Sequence, residues 1–297
     1  MRTRSPKGVG IASVVLFFLP FAAAWVDVEA LAQQRAQAVK GRLILAVNEG
    51  GASNTDASEI LLRYEDLGHV IEKALRTPVS IVAVRERKVL EDGIKRGAYA
   101  LVLTRPVDLP AEAVRDYRYQ PVVSAKEASQ ALLIVRKDSP LRSIADVKGK
   151  TIVTPDLYSA MWRIANAMLR DNNINLSQEK VRAMRDQAAI GWSMENGFFD
   201  VGVVNSVSPV GRTWEKKGGR VLARSPEVPN MPLIASPKLT KAQIAAVRAA
   251  LLALESTEGG PAILRKVGVS GFKDTPSKEY VDLLAWLGEV STGVAKK

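Results

Sequence analysis

The stretch from 135 to 156, VRKDSPLRSIADVKGKTIVTPD, constrains the fold of this chain more than any other. An apolar, strand-length run at 130–135 enters a charged turn, and Ser143 opens a short helical segment that ends at 147. A Lys-Gly-Lys turn then leads to a second strand at 151–154. Such a join passes the chain from one structural unit to another, and the residues on either side of it repeat one order of elements.

Before the join, 43–47 is a short apolar run of strand length, followed by glycine and polar residues. Asp56 with Glu59 three residues on is a helix-start pattern. Ile60, Leu61, Tyr64, Leu67, Val70, Ile71, Ala74 and Leu75 then recur at helical spacing. Pro78 stops that helix, 79–84 reads as a strand, 86–96 as a charged helix, and 99–103 as a third strand. After the join come a strand at 151–154, an amphipathic helix at 158–170, a strand at 181–184, a helix at 187–196, a strand at 200–204, a helix near 207–217 and a strand at 221–223. Pro226, Pro229 and Pro232 punctuate a return, and Thr240 with Gln243 opens another helix, whose apolar face is Ile244, Val247, Leu251 and Leu254. Helices near 260–267 and 277–287 close the chain. Alternation of this kind predicts an α/β fold, with mostly parallel sheets covered by helices.

The first residues read as an export address. Arg2, Arg4 and Lys7 precede an apolar run at 9–26, and Ala30-Leu31-Ala32 supplies a small-x-small cleavage pattern. Cleavage after Ala32 is expected, with cleavage after Ala24 or a retained membrane anchor as the alternatives. With no cysteine in the chain, neither a lipid-modified cysteine nor a disulfide is available. A periplasmic protein that is not a lipoprotein fits this usage. The net charge of +11 favours an acidic or anionic partner. Nucleic acid is excluded as a partner, because the basic residues are scattered, aromatics are only 6% of the chain, and export removes the ligand.

Four stretches resemble, in order, the phosphate, phosphite and phosphonate-binding periplasmic proteins of ABC importers: VRKDSPLRSIADVKGKTIV (135–153), ENGFFDVGVVNS (195–206), RVLARSPEVPNMPLIASPKLT (220–240) and ALLALESTEGGPAILRKVGVSGF (250–272). RYEDLGHVIEKALRTPVSIV (63–82) is similar too. The resemblance implies a two-lobed type 2 periplasmic-binding-protein fold with a two-segment hinge. After the signal peptide (1–32), lobe 1 would take 33–135 plus 227–297, and lobe 2 would take 136–226. Ligand would sit in the cleft between them, at the carboxyl ends of strands and the amino ends of helices.

The resemblance also points to ligand-contacting positions, several of which depart from the family pattern. Where the family carries a Ser/Thr-Ser-Gly run at the start of a second-lobe helix, this chain has Asp156-Leu157-Tyr158-Ser159-Ala160. Ser159 and the free helix amides suit an anion, whereas Asp156 opposes it. Arg185-Asp186 replaces a His-Asp pair, and its arginine is able to grip phosphate or carboxylate at two points. Asn48 and Glu49 follow the first strand in place of an aromatic residue, and Thr104-Arg105 follows the third in place of a Gly-Pro segment. Asn205 and Ser206 keep the family's residue type. Arg105 and Arg185 would therefore approach one anionic group from opposite lobes. Trp162 and Trp192 are expected in packing, with stacking of Trp162 or Tyr158 on an organic ligand as the alternative.

The expected function is a monomeric solute receptor that closes on a small anionic ligand, a phosphate- or phosphonate-like oxyanion or a carboxylate, and delivers it to an inner-membrane ABC permease. The alternative is a periplasmic sensor or accessory protein that serves no transport. An enzyme is not expected, since the single histidine, His69, lies mid-helix, there is no cysteine nucleophile, and no histidine accompanies Ser159. Neither a cofactor nor a metal site is expected.

Overall fold

The protein is described from a computed structural model covering residues 41–50, 56–157 and 159–288. The expected signal peptide, Tyr158 and the end of the glycine turn at 51–55 lie outside the described residues. The first apolar run forms β1 (Leu43–Asn48), and the Asp56 carboxylate accepts the Glu59 amide at 2.8 Å to start α1 (Ala57–Leu75). That helix buries Ile60, Tyr64, Leu67, Ile71 and Leu75, one face at helical spacing. β2 (Val79–Ala83), α2 (Arg87–Lys95) and β3 (Leu101–Thr104) follow as the sequence implies. The next two elements are α3 (Asp108–Asp116) and β4 (Gln120–Ala125).

A second series contains β5 (Ala131–Val135), β6 (Thr151–Pro155), α4 (Ala160–Arg170), β7 (Lys180–Met184), α5 (Gln187–Glu195), β8 (Val201–Asn205), α6 (Pro209–Thr213) and β9 (Arg220–Arg224). Between β5 and β6, Asp146 holds a short 3-10 turn by accepting from the Arg142 and Ser143 amides, each at 2.8 Å. The chain then forms β10 (Leu233–Ala235), α7 (Lys241–Leu252), α8 (Gly260–Val267), β11 (Phe272–Lys273) and α9 (Ser277–Leu287).

Among the described residues eleven strands make two mixed sheets, one ordered β11-β4-β10-β3-β1-β2 and the other β7-β6-β8-β5-β9. Parallel pairing joins β1 to β2 and β3, and joins β6 to β7 and β8. The remaining pairs are antiparallel. Each sheet is covered on both faces, and the alternation of strand side chains decides which residues meet which helices. Leu45 and Val47 pack with α1, α7 and α8, while Ala46 packs with α2 and α3. In the second sheet Leu133 packs with α4, and Leu132 and Ile134 pack with α5 and Trp214.

One placement differs from the sequence reading. The strand Ala131–Val135, assigned there to the first lobe, sits between β8 and β9 in the second sheet. Its five residues are all buried, so its apolar run carries no sign of which sheet will claim it. The C-terminal helix α9 bridges the two halves: it packs chiefly on α3 and also buries Tyr280, Leu283, Leu284 and Leu287 with Ile164, Ala165 and Met168 of α4. The chain passes between the sheets at two segments, which pair with each other where Ser129 and Val228 exchange amide hydrogen bonds of 2.9 Å. Among the described residues no helix is long and apolar enough to cross a membrane.

Leu133 is fully buried on an interior strand of the second sheet, between β8 and β9. Leu133→Ala is expected to cost about 2–5 kcal/mol. Urea denaturation should show this as a lower midpoint with an unchanged slope.

Candidate functional site

In each sheet the chain leaves a central strand to one side and later returns to the other. The points of reversal lie between β1 and β3 and between β6 and β8, where the carboxyl ends open a crevice. Asn48 and Thr104 face each other in register at the first point. A cleft of about 470 Å³ lies there, lined by residues that follow strands of both sheets: Asn48, Glu49, Gly50, Arg85, Arg105 and Pro106 from one, and Pro155, Ser159, Asn205, Val207 and Arg212 from the other.

The first wall is held by buried polar contacts. The Asn48 amide donates to the Val84 carbonyl at 2.5 Å, and its oxygen accepts from the Gly50 amide at 2.9 Å. Thr104 is buried, with its hydroxyl 3.4 Å from the Asn48 oxygen, so it braces the strand ends and does not line the cleft. The Glu49 side chain is only 4% exposed. It accepts from Arg63 at 2.7 and 2.8 Å and from the Tyr64 hydroxyl at 2.8 Å, and Arg105 approaches it to 3.7 Å. Burial, together with this carboxylate, pushes the Tyr64 phenol above its ordinary pKa. Arg105 also donates to the Val267 carbonyl at 3.0 Å, and a guanidinium has five N–H donors, so donors remain for a ligand.

On the second wall Ser159 caps α4, its hydroxyl oxygen accepting from the Trp162 amide at 3.2 Å. The next residues, Ala160 and Met161, line the cleft and begin the helix, where backbone donors are unsatisfied and the dipole favours negative charge. The Asn205 oxygen accepts from the Ser129 hydroxyl at 2.9 Å and the Val207 amide at 3.1 Å, leaving its NH₂ to donate elsewhere. A side chain at Gly211 would place a Cβ 2.2 Å from the Asn205 carbonyl oxygen. Only glycine fits there, and it lets α6 approach β8 closely enough to put Arg212 on the cleft.

Of the eleven candidates read from sequence, the structure brings Asn48, Glu49, Arg105, Ser159 and Asn205 to this cleft. Thr104, Asp156, Arg185, Asp186 and Ser206 are not among its lining residues, and Tyr158 lies outside the described residues. Asp186 instead caps α5 by accepting the Ala188 amide at 2.8 Å, and Arg185 is exposed outside the cleft. It is Gln187 that turns inward, accepting the Asn205 amide at 2.8 Å. Ser206 accepts the Gln130 amide at 3.0 Å in the crossing segment. Trp162 packs against the second core, and Trp192 is 58% exposed with its ring edge-on to Phe198. Arg63, Arg85, Arg87 and Arg212 were not singled out from the sequence, since an arginine on a helix or after a strand carries no local mark of facing a cleft.

Beside the cleft, Asp108 of α3 is fully buried between Arg87 of α2 at 2.8 Å and Arg163 of α4 at 3.0 Å. Arg163 also reaches Glu112 at 2.7 Å. Burial alone would raise the Asp108 pKa, but the two guanidiniums outweigh it and hold the carboxyl below its ordinary value. Among the described residues no group of three or more His, Cys, Asp or Glu is arranged to hold a metal ion.

Comparison with protein families matches residues 50–280 to the family described as "ABC transporter, phosphonate, periplasmic substrate-binding protein". No curated protein matches the sequence. Among solved structures, a Xanthomonas citri protein bound to ATP is similar at a TM-score of 0.68 and 16% identity, covering 83% of this chain and 97% of that one. PhnD1 from Prochlorococcus marinus, in complex with methylphosphonate, is similar at 0.64 and 15%, covering 82% and 96%. A binding-protein component of a phosphonate ABC transporter from Pseudomonas aeruginosa gives 0.62 and 15%, covering 82% and 84%. At these identities the likeness is one of fold, and the fold is that of the type 2 periplasmic-binding proteins.

Because folding lowers the Asp108 pKa, its carboxylate contributes fully above the unfolded-state value of about 4. That contribution is lost as pH falls through the lower folded-state value. Asp108→Asn is expected to cost about 3–5 kcal/mol at neutral pH. Its deficit against wild type should shrink as denaturation is repeated below about pH 4.

Proposed function

We propose that this chain, which belongs to the periplasmic phosphonate-binding protein family of ABC transporters, closes on a small phosphonate-like anion and delivers it to an inner-membrane permease. The family is one of substrate-binding proteins, not catalysts. One observation carries the ligand class: arginines of both sheets and the amino end of α4 line a single cleft. The oxyanion sits against the Ser159 hydroxyl and the amides of Ala160 and Met161, with Arg105 opposite and the Asn205 NH₂ alongside. Charge-assisted hydrogen bonds of this kind are roughly twice as strong as neutral ones, and closure that excludes water strengthens them further.

Methylphosphonate, bound by the Prochlorococcus structural neighbour, is a suitable first probe. Glu49 has a separate task in this reading. By gripping Arg63 and approaching Arg105, it holds the cationic wall in place before ligand arrives. The chain acts as a monomer in the periplasm, and the two crossing segments near Ser129 and Val228 serve as its hinge.

The test is a thermal shift on the full chain after unfolding and refolding to remove carried-over ligand. Methylphosphonate at a hundred times its dissociation constant should add about 2.7 kcal/mol. At about 2–4 °C per kcal/mol this is a rise of several degrees. Arg105→Gln should weaken binding by about tenfold or more, the loss expected when one charged hydrogen-bond donor is removed. Silence towards phosphonates, phosphate and phosphite alike would overturn the reading and favour a sensor or accessory role.

A further inference from the structure

The arginines of the cleft differ in how far their charge is already balanced. Arg63 and Arg105 are balanced by Glu49, which both approach, and by Glu59, which Arg63 also reaches at 2.6 Å. Arg87, with Arg163 behind it, is balanced by Asp108 and Glu112. Arg85 and Arg212 both line the cleft and both are exposed, and among the described residues neither has a hydrogen-bonded or ion-paired partner. They come from opposite walls, Arg85 just beyond β2 of the first sheet and Arg212 in α6 of the second. The cleft is therefore left with two positive charges that no bonded carboxylate balances, both at the exposed rim.

A single phosphonate head held by Arg105 and the amino end of α4 engages neither of these rim side chains. Phosphate monoesters carry roughly −1.5 to −2 at neutral pH, alkylphosphonates less, and the amino end of α4 with Arg105 suffices to hold one such head. The space is also generous, since about 470 Å³ falls in the range of about 300–1,000 Å³ typical of sites for larger organic ligands. A ligand of one phosphorus and a methyl group would leave most of it to water and would leave the rim arginines, which feel the more distant carboxylates of Asp56 and Glu127, without a directly bonded anion.

We propose that the cleft selects two-headed anions: an organic phosphonate or phosphate ester that carries a second anionic group, which Arg85 and Arg212 share at the rim. This rests on the reading of the cleft as an anion site and adds to it the class of molecule that fills it. The second anionic group gives the two walls a common counter-ion, so it binds best when they are drawn together. An uncharged tail of the same length gains nothing from either arginine.

The experiment compares phosphonoacetate with ethylphosphonate, which match in length and differ in the terminal carboxylate, by titration calorimetry on the full chain. Phosphonoacetate should bind about tenfold more tightly or better, the equivalent of about 1.4 kcal/mol. The ratio should fall to about threefold or less in Arg85→Gln and in Arg212→Gln, and should also shrink at high salt because rim charges are screened. Both side chains are exposed, so the variants should fold, and thermal denaturation without ligand checks that they do. Equal affinity for the two phosphonates in wild type overturns the two-headed class while leaving the anion site intact. A preference that survives in both variants overturns the assignment to these arginines. Failure of both phosphonates to bind overturns the anion reading itself and this inference with it.

Discussion

The buried carboxylate of Asp108 takes a guanidinium from each half of the molecule: Arg87 lies on a helix of the first sheet, and Arg163 on a helix of the second. Removing a carboxylate from water costs several kcal/mol, and a single partner seldom offsets it. Two guanidiniums do, but only if both helices stand where they do. The carboxylate thus makes the mutual placement of α2, α3 and α4 a condition of its own solvation. Beside it, α9 closes the same seam with Tyr280 and three leucines, so the polar contact sits next to an apolar one. The cleft inherits its shape from this seam, because α4 opens at the cleft and is pinned by Arg163 one turn in.

The site follows from backbone direction as much as from side chains. Parallel strands in both sheets send their carboxyl ends to one edge, and the helices that follow present their amino ends there. What is particular to this chain is the use of arginine in place of a hydroxyl-rich loop. Arginine reaches across a wider gap than serine and keeps its charge at any working pH, but it must be held in place. Glu49, with Tyr64 behind it, does this for the first wall. The charge of one carboxylate is thereby exchanged for the order of two guanidiniums.

Much of this was legible in the sequence, for reasons that can be stated. Asp56, Thr240 and Ser143 are capping residues whose side chains act within a few positions, and each marks its turn or helix as the structure has it. Strand runs such as Leu43–Asn48 and Leu101–Thr104 were readable because burial on both faces leaves an unbroken apolar segment. The same property hid the sheet to which Ala131–Val135 belongs, since pairing partners are distant in sequence. The sequence reading did not foresee α3 and β4: α3 begins Asp-Leu-Pro and buries its aspartate, which only Arg87 and Arg163, distant in sequence, make favourable. Site residues divided in the same way. Arg105 and Asn205 follow strand ends, which the order of elements reveals, whereas Arg63 reaches the cleft from a helix and Gln187 replaces Arg185 because Asp186 is used as a cap.

The contact between Asn205 and Ser129 joins two things usually described apart. One amide side chain has its oxygen fastened to a crossing segment and its nitrogen free beside the cleft. Next to it, Ser206 and Gln130 bind each other through both a hydroxyl and a main-chain amide. In the closure proposed above, a swivel of the crossing segment against β8 would stretch these bonds and shift the Asn205 nitrogen with them. On that proposal the cleft floor and the pivot are one mechanical part, a crank whose handle is an asparagine.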